Sequence, residues 1–330
     1  MQATLPNEDL IRYLIEKYYR SAINPEESEF VSSHWKHYGD LFDIKVDAEG
    51  SLVSISGIGF GTGKWNSLGH RFLDQACVLT HLIHLSHKWG ILRLRANAAK
   101  VCKLMGLSPT LDVFRQVYSL ELLNRYIPDE MHNKRMHVLM IGDGYGVLSA
   151  LFKSIYPNTT ITLVDIGKTL LFQAYYCQKA YPECTHQLVD MAADSDGVDF
   201  VYCPTEHLEQ LERFKYDIAV NIVSMQEMNI STIARYFAFL RKCLQPNNLF
   251  YCCNRESKRL VGGEVSEFFN YPWQSGDRYL VDDVCPWTSY FFSWGRAEYG
   301  PRVFGIKIPI ASFYDGKIVH RLASLATAGK

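Results

Sequence analysis

Apolar positions in the first third of the chain recur at helical spacing. EDLIRYLIEKYYRSAI reads as one amphipathic helix, and HRFLDQACVLTHLIHLSHKWGILRL as a longer one. Between them, FDIKVDAEGSLVSISGIGFGTGKW reads as short strands or an irregular glycine-rich loop. LDVFRQVYSLELLNRYI is a further helix, closed by Pro128. The pattern changes near His137. From there HVLMIG, TITLVDI, VDFVYCP, YDIAVNIVSM and NLFYCCN are unbroken apolar runs, separated by the helical stretches VLSALFKSIYP, KTLLFQAYYCQKAYP, EHLEQLERF and STIARYFAFLRKCL. Strands apolar on both faces that alternate with helices predict a buried parallel sheet of the doubly wound α/β type. The aromatic and Pro/Gly-rich remainder, about 256–330, is expected to add final strands, VFGIKIPI being one candidate, and loops facing the sheet's mouth. The organisation is therefore a mainly helical region, 1–136, and an α/β unit with a C-terminal elaboration, 137–330.

Composition narrows the choice of partner. Hydrophobic residues make up 48% and charged residues 21%, the balance of a folded chain. Lys+Arg 34 against Asp+Glu 35 leaves a formal charge of −1, without the basic footprint that nucleic acids or anionic membranes require. Neither is an expected partner. The segment ACVLTHLIHLSHKWGIL is cut by three His and a Lys, which excludes a membrane span there. The N-terminal stretch is charged and lacks the apolar core of a secretory signal. Nine scattered cysteines without a CxxC pair argue against a disulfide framework or zinc knuckle, and the expected location is a reducing cytoplasm.

The candidate chemistry starts where the first apolar strand meets its helix, at Ile141-Gly142-Asp143-Gly144-Tyr145-Gly146. Glycines there allow positive φ and close approach of a ligand to the backbone, while the helix start offers free N–H groups. A dinucleotide site calls for GxGxxG. The GxGxG spacing here suits a nucleoside with an amino-acid tail and disfavours a nicotinamide-dependent oxidoreductase. The second strand ends in Asp165-Ile166, and a carboxylate at that point accepts ribose hydroxyls, although an Asp at a strand end is also a common helix cap. The fourth strand ends in Asn221-Ile222-Val223-Ser224-Met225-Gln226-Glu227-Met228, more polar groups than a buried strand carries without partners. The third ends in Pro204-Thr205-Glu206-His207, with Thr205 either an N-cap or a pocket residue.

VLMIGDGYGVLSALF, LVDIGKTLLFQAYY and the pair YDIAVN and SMQEM together resemble the sugar O-methyltransferase family, S-adenosylmethionine-dependent enzymes of class I. The resemblance covers about residues 137–255, and its most specific part is the N-x-x-S-x-Q/N-E-M element. One departure is Met140, where the family usually has an acidic residue. The resemblance implies a Rossmann-like class I methyltransferase sheet with S-adenosyl-L-methionine as cofactor and a sugar or glycosylated small molecule as acceptor. It places Gly142, Asp143, Gly144, Tyr145, Gly146, Asp165, Ile166, Thr205 and Asn221 at the cofactor. A neutral alcohol needs a base. Glu227 is the first candidate, with His70 and His207 in reserve, and Gln226 and Trp65 are expected at the acceptor.

The glycine-rich GIGFGTGKWN before His70 has the make-up of a closing loop, and the N-terminal helices that of a substrate lid. His81, His84, His87 and Lys88 fall on helical spacing and read better as a partly buried face than as metal ligands. Asp190, Asp194, Asp196 and Asp199 read as a solvated turn, so no metal is expected. Trp273, Trp287 and Trp294 suit either sugar stacking or core packing. The other readings are a non-catalytic nucleoside-binding protein and a methyltransferase acting on a non-sugar small molecule.

Overall fold

The computed structural model describes residues 7–20, 31–38, 42–47, 52–57, 72, 82, 88–192, 197–286, 302–303, 306–307 and 317–326. The apolar runs of the second half become the strands of one eight-stranded sheet. Its members are β3 (Met136–Ile141), β4 (Thr159–Asp165), β5 (His186–Leu188), β6 (Phe200–Pro204), β7 (Tyr216–Ile222), β8 (Leu244–Arg255), β11 (Arg278–Val284) and β14 (Ile318–Ser324). The order is β11-β14-β8-β7-β3-β4-β6-β5. The six strands from β8 to β5 are parallel, β14 runs antiparallel to β8, and β11 antiparallel to β14.

Side chains alternate between the faces because successive strand residues point opposite ways. Val138, Met140, Ile218, Val220, Tyr251 and Cys253 belong to one apolar cluster. Leu139, Ile141, Ala219, Phe250 and Cys252 belong to the other. Helices cover both faces, as a sheet apolar on both sides demands. The first face carries α1 (Asn7–Ile15), α3 (Lys88–Met105), α4 (Leu111–Asn124), α5 (Val147–Ile155) and α6 (Gly167–Ala180); the second carries α7 (Ile230–Cys243). Leu10, Leu14, Ile91 and Val117 from before residue 137 share a cluster with Leu151 and Phe172 from after it. The change of pattern near His137 is thus a change of element type within a continuous core. The remaining pieces are α2 (Ser33–Tyr38), the hairpin β1 (Asp43–Val46) and β2 (Leu52–Ser56), the hairpin β9 (Ser257–Arg259) and β10 (Val265–Glu267), and the two-residue pair β12 (Arg302–Val303) and β13 (Ile306–Lys307).

This is the Rossmann-like sheet expected from the sequence, with three strands beyond the five that the apolar runs announce. β5 is only three residues long. β14 contains His320 and Arg321, both buried, and a charged residue inside a strand breaks an apolar pattern. Arg321 holds Asp282 of β11 with two bonds of 3.0 and 2.7 Å, and its guanidinium lies 3.9 Å from the Tyr279 ring and 4.5 Å from Trp273. The charge is hydrogen-bonded and stacked, which is how a buried Arg is tolerated. VFGIKIPI does not enter the main sheet through its described residues, which form the β12–β13 pair instead. EHLEQLERF is a 3-10 segment, Thr205–Arg213, kinked at His207. Trp273 packs against Phe237, Phe250 and Phe268 and is a core residue. No described helix is long and apolar enough to cross a membrane.

Candidate functional site

At the carboxyl ends of β3, β4, β6, β7 and β8 lies a cleft of about 390 Å³. Ligands of open α/β sheets bind at this edge, where the strand order reverses. One wall is the glycine loop between β3 and α5. Gly142, Gly144 and Gly146 all have positive φ, of 70, 58 and 75°. A Cβ on Gly142 would overlap Ser224 Oγ, and one on Gly146 would lie 2.7 Å from Cys177 Sγ. Gly146 therefore serves the packing of α5 on α6 and does not line the cleft.

Asp143 is committed to the start of α5. Its carboxylate accepts from Leu148 N at 3.2 Å, Ser149 N at 2.7 Å and Ser149 Oγ at 2.6 Å. Burial pushes its carboxyl up to about 6, opposed by the Ser149 bonds. Only its position in the loop, not its carboxylate, is available to a ligand. Gly144 and Tyr145 line the cleft, and the Tyr145 ring stacks between Phe172 at 5.1 Å and Tyr176 at 5.3 Å.

Asp165 and Ile166 form the adjoining edge. Asp165 Oδ1 accepts from Ile166 N at 2.8 Å and Oδ2 from Gln173 Nε2 at 2.6 Å, so it is a partial cap and still faces the cleft. Burial pushes its carboxyl up to about 7 despite these bonds, with the Asp143 and Glu227 charges adding to the rise. Thr205 lines the far side, its hydroxyl 3.2 Å from Tyr236 OH.

Asn221, expected at the cofactor, lies outside the cleft lining and is consumed by structure. Its Nδ2 donates to Ile141 O at 2.9 Å and Ser224 Oγ at 2.5 Å, while Oδ1 accepts from Met225 N at 3.3 Å and Asn254 Nδ2 at 2.9 Å. It ties β3, β8 and the turn after β7 together. That turn holds Val223 at φ 62°, a costly conformation for a β-branched residue. The bend presents Gln226 and Glu227 to the cleft. Gln226 Oε1 accepts from Arg255 N at 2.7 Å, which commits half of its amide to β8.

Glu227 meets two partners. Lys258 Nζ lies 2.6 Å from Oε1, and His34 Nε2 lies 3.5 Å from Oε2. Burial lowers the His34 pKa even though Glu227 acts to raise it, and Lys258 is lowered for the same reason. His34 is therefore neutral near pH 7, with the Glu227 carboxylate close to its Nε2. α2 is fixed in place by three contacts. Ser32 Oγ donates to Glu227 O at 2.5 Å, Gly262 N donates to Ser33 Oγ at 2.9 Å, and Ser33 Oγ donates to Glu264 at 3.1 Å. An aromatic run from Trp35 through Phe42 and Phe172 to Tyr145 joins this wall to the glycine loop, with centroid spacings of 5.9, 4.9 and 5.1 Å.

His207 does not reach the cleft. Its Nε2 lies 3.4 Å from Lys17 Nζ, on the kinked 3-10 segment, which removes it as a reserve base. His70 and Trp65 lie outside the described residues, as do His81, His84, His87, Asp194, Asp196, Trp287 and Trp294. Asp199 is held by Lys153 Nζ at 2.6 Å. Among the described residues no group of three or more His, Cys, Asp or Glu is placed to hold a metal.

The lining residues without a signal of their own in the sequence are His34, Trp35, Tyr38 and Phe42 from the N-terminal region, Arg115 and Gln116 of α4, and Arg255 and Lys258 around the end of β8. Only the aromatic and basic make-up of SHWKHY and RESKR marked them.

No family model and no curated protein matches the chain. Among solved structures it is similar to PKMT2 of Rickettsia typhi, with 21% identity over 36% of this chain and 21% of that one and a TM-score of 0.28. Similarity to the cyclopropane synthase MmaA2 of Mycobacterium tuberculosis is 21% over 37% of each chain, with a TM-score of 0.28. A SAM-dependent methyltransferase of Leishmania major matches at 13% identity over 70% of this chain and 83% of that one, with a TM-score of 0.37. The chain spans well under two thirds of the length of PKMT2 and of MmaA2.

Proposed function

We propose that this protein is an S-adenosylmethionine-dependent methyltransferase whose acceptor is a hydroxyl of a sugar or glycosylated small molecule. The observation that carries this reading is the meeting of two sets of residues in one cleft. The loop at Gly142 and Gly144 and the Asp165 carboxylate form a nucleoside-type edge, and His34 with Glu227 forms a proton-accepting edge.

The residues fit the cofactor on a test internal to the cleft. Thr169 Oγ1 and Gln116 Oε1 are buried in its walls without a hydrogen-bond partner among the described residues, which leaves them open to a bond from a ligand. Asp165 would hold the ribose hydroxyls, and the backbone at Gly142 and Gly144 the amino-acid tail. Bound S-adenosylmethionine supplies an electrophilic methyl group, so the protein's work is alignment and removal of the acceptor's proton.

His34 is the better acceptor of that proton. The Glu227 carboxylate is already engaged by Lys258 at 2.6 Å, whereas burial keeps the imidazole neutral and its ring nitrogen available. Glu227, the first candidate from sequence, then acts on the imidazole as a positioning residue. Trp35, Tyr38 and Phe42 give the cleft an aromatic wall suited to a sugar ring. The helical region 1–136 thereby contributes substrate-facing groups to the unit 137–330.

Titration calorimetry with S-adenosylhomocysteine and NAD tests the reading. Saturable binding of S-adenosylhomocysteine without binding of NAD is expected, and the reverse would overturn it.

A further inference from the structure

Three strongly basic side chains of the described residues line the cleft: Arg115, Arg255 and Lys258. Two of them have carboxylates. Arg115 Nη2 lies 3.3 Å from Asp112 Oδ1, and Lys258 Nζ lies 2.6 Å from Glu227 Oε1. The Arg255 guanidinium has none among the described residues. Its side chain makes no hydrogen bond or ion pair among the described residues, and its Nε is buried without a partner. A guanidinium stays charged at any working pH, and half-burying it unpaired is unfavourable unless something else completes the pair.

Position says what completes it. Arg255 closes β8, and two steps of the sheet, β8 to β7 to β3, separate it from the glycine loop. At the spacing of adjacent strands that is roughly 10 Å, and Asp165 on β4 is a further strand away. Arg255 therefore sits beyond the nucleoside-type edge. It is on the same side as His34, Glu227 and Lys258, where its charge is felt by both His34 and Lys258.

We propose that the acceptor carries a carboxylate or phosphate group, seated on the Arg255 guanidinium beside the hydroxyl that is methylated. The proposal rests on the methyltransferase reading and names its substrate class. The planar fork of Arg255 matches both anions with two parallel hydrogen bonds. Such an acceptor supplies the counter-charge that the described residues leave out.

The test uses the full chain saturated with S-adenosylhomocysteine, titrated with glucose, glucuronate and glucose 6-phosphate. At least one anionic sugar is expected to bind about tenfold or more tightly than glucose, the effect of one charge-assisted pair. Glucuronate and glucose 6-phosphate separate a carboxylate from a phosphate preference. Arg255→Gln should abolish the preference, and Arg255→Lys should restore part of it, with S-adenosylhomocysteine affinity unchanged in both. Equal binding of all three sugars, binding of none, or a preference that survives Arg255→Gln would overturn the proposal. So would a loss of S-adenosylhomocysteine affinity in Arg255→Gln, which would place the guanidinium on the cofactor's own carboxylate. Failure of the wild type to bind S-adenosylhomocysteine would instead sink the methyltransferase reading, and the acceptor class with it.

Discussion

The two ends of the cleft are built in opposite ways. The nucleoside-type end comes from two neighbouring strands and their following turns, within residues 141–169, and depends on backbone shape and one carboxylate. The acceptor end joins His34 to Glu227 and Lys258, residues that lie on α2, in the turn after β7 and on β9. The first end is local in sequence. The second requires the N-terminal region to be seated on the β9–β10 hairpin through Ser33, Gly262 and Glu264. The proposed function thereby assigns binding of a cofactor and competence to react to different parts of the chain, and substitutions should separate them.

The largest separation is expected at His34. His34→Gln removes the proposed proton acceptor, and loss of a general base costs about 10²–10⁴-fold in rate. S-adenosylhomocysteine affinity should be unchanged. Glu227→Gln should lower kcat less, because the imidazole remains but loses its partner. A variant at His34 with more than about a tenth of the wild-type kcat, above the range for a lost base, would make the contact structural.

Asp165→Ala should do the opposite. Two hydrogen bonds to a carboxylate are worth about 2–3 kcal/mol, or roughly 30- to 150-fold in S-adenosylhomocysteine affinity. The same carboxyl gives a pH signature. With its pKa raised to about 7 by burial, it is protonated below neutrality, and cofactor affinity should fall as pH drops through that value. In the ligand-free protein the sign reverses. A raised folded pKa contributes stability below the unfolded value, near 3.9, and loses it as pH rises through about 7. Asp165→Asn should therefore flatten both profiles, as read by calorimetry and thermal unfolding at pH 5, 6, 7 and 8 (chosen to bracket the value of about 7).

Smaller effects should leave the comparison intact. Asn221→Ala breaks four bonds around β3, β7 and β8 and should cost about 1–3 kcal/mol of stability. Chemical unfolding measures it, and the residual folded protein should still bind cofactor. Val223→Gly relieves a positive φ at the price of a freer unfolded chain, so its stability change should stay within about 1 kcal/mol.

The same contrast explains what the sequence revealed. The glycine loop, Asp165, Gln226 and Glu227 were legible because each sits where an apolar strand ends, and the strands are continuous runs. Asn221 and Asp143 look like ligands in the sequence because a polar residue at a strand end has the same signature whether it serves a cofactor or the next turn. Only the partners, Ile141 O for one and Ser149 N for the other, tell them apart. β14 was hidden by buried His320 and Arg321, whose compensation by Asp282 is a long-range pairing. His34 was hidden for the same reason, since nothing near it in the chain announces Glu227.

The most direct measurement is a crystal structure with S-adenosylhomocysteine bound. Ribose hydroxyls are expected on Asp165, the amino-acid tail along Gly142 and Gly144, and the sulfur on the side of the cleft that holds His34 and Glu227. A ligand whose ribose lies away from Asp165, or whose sulfur faces away from His34, would contradict the proposed function.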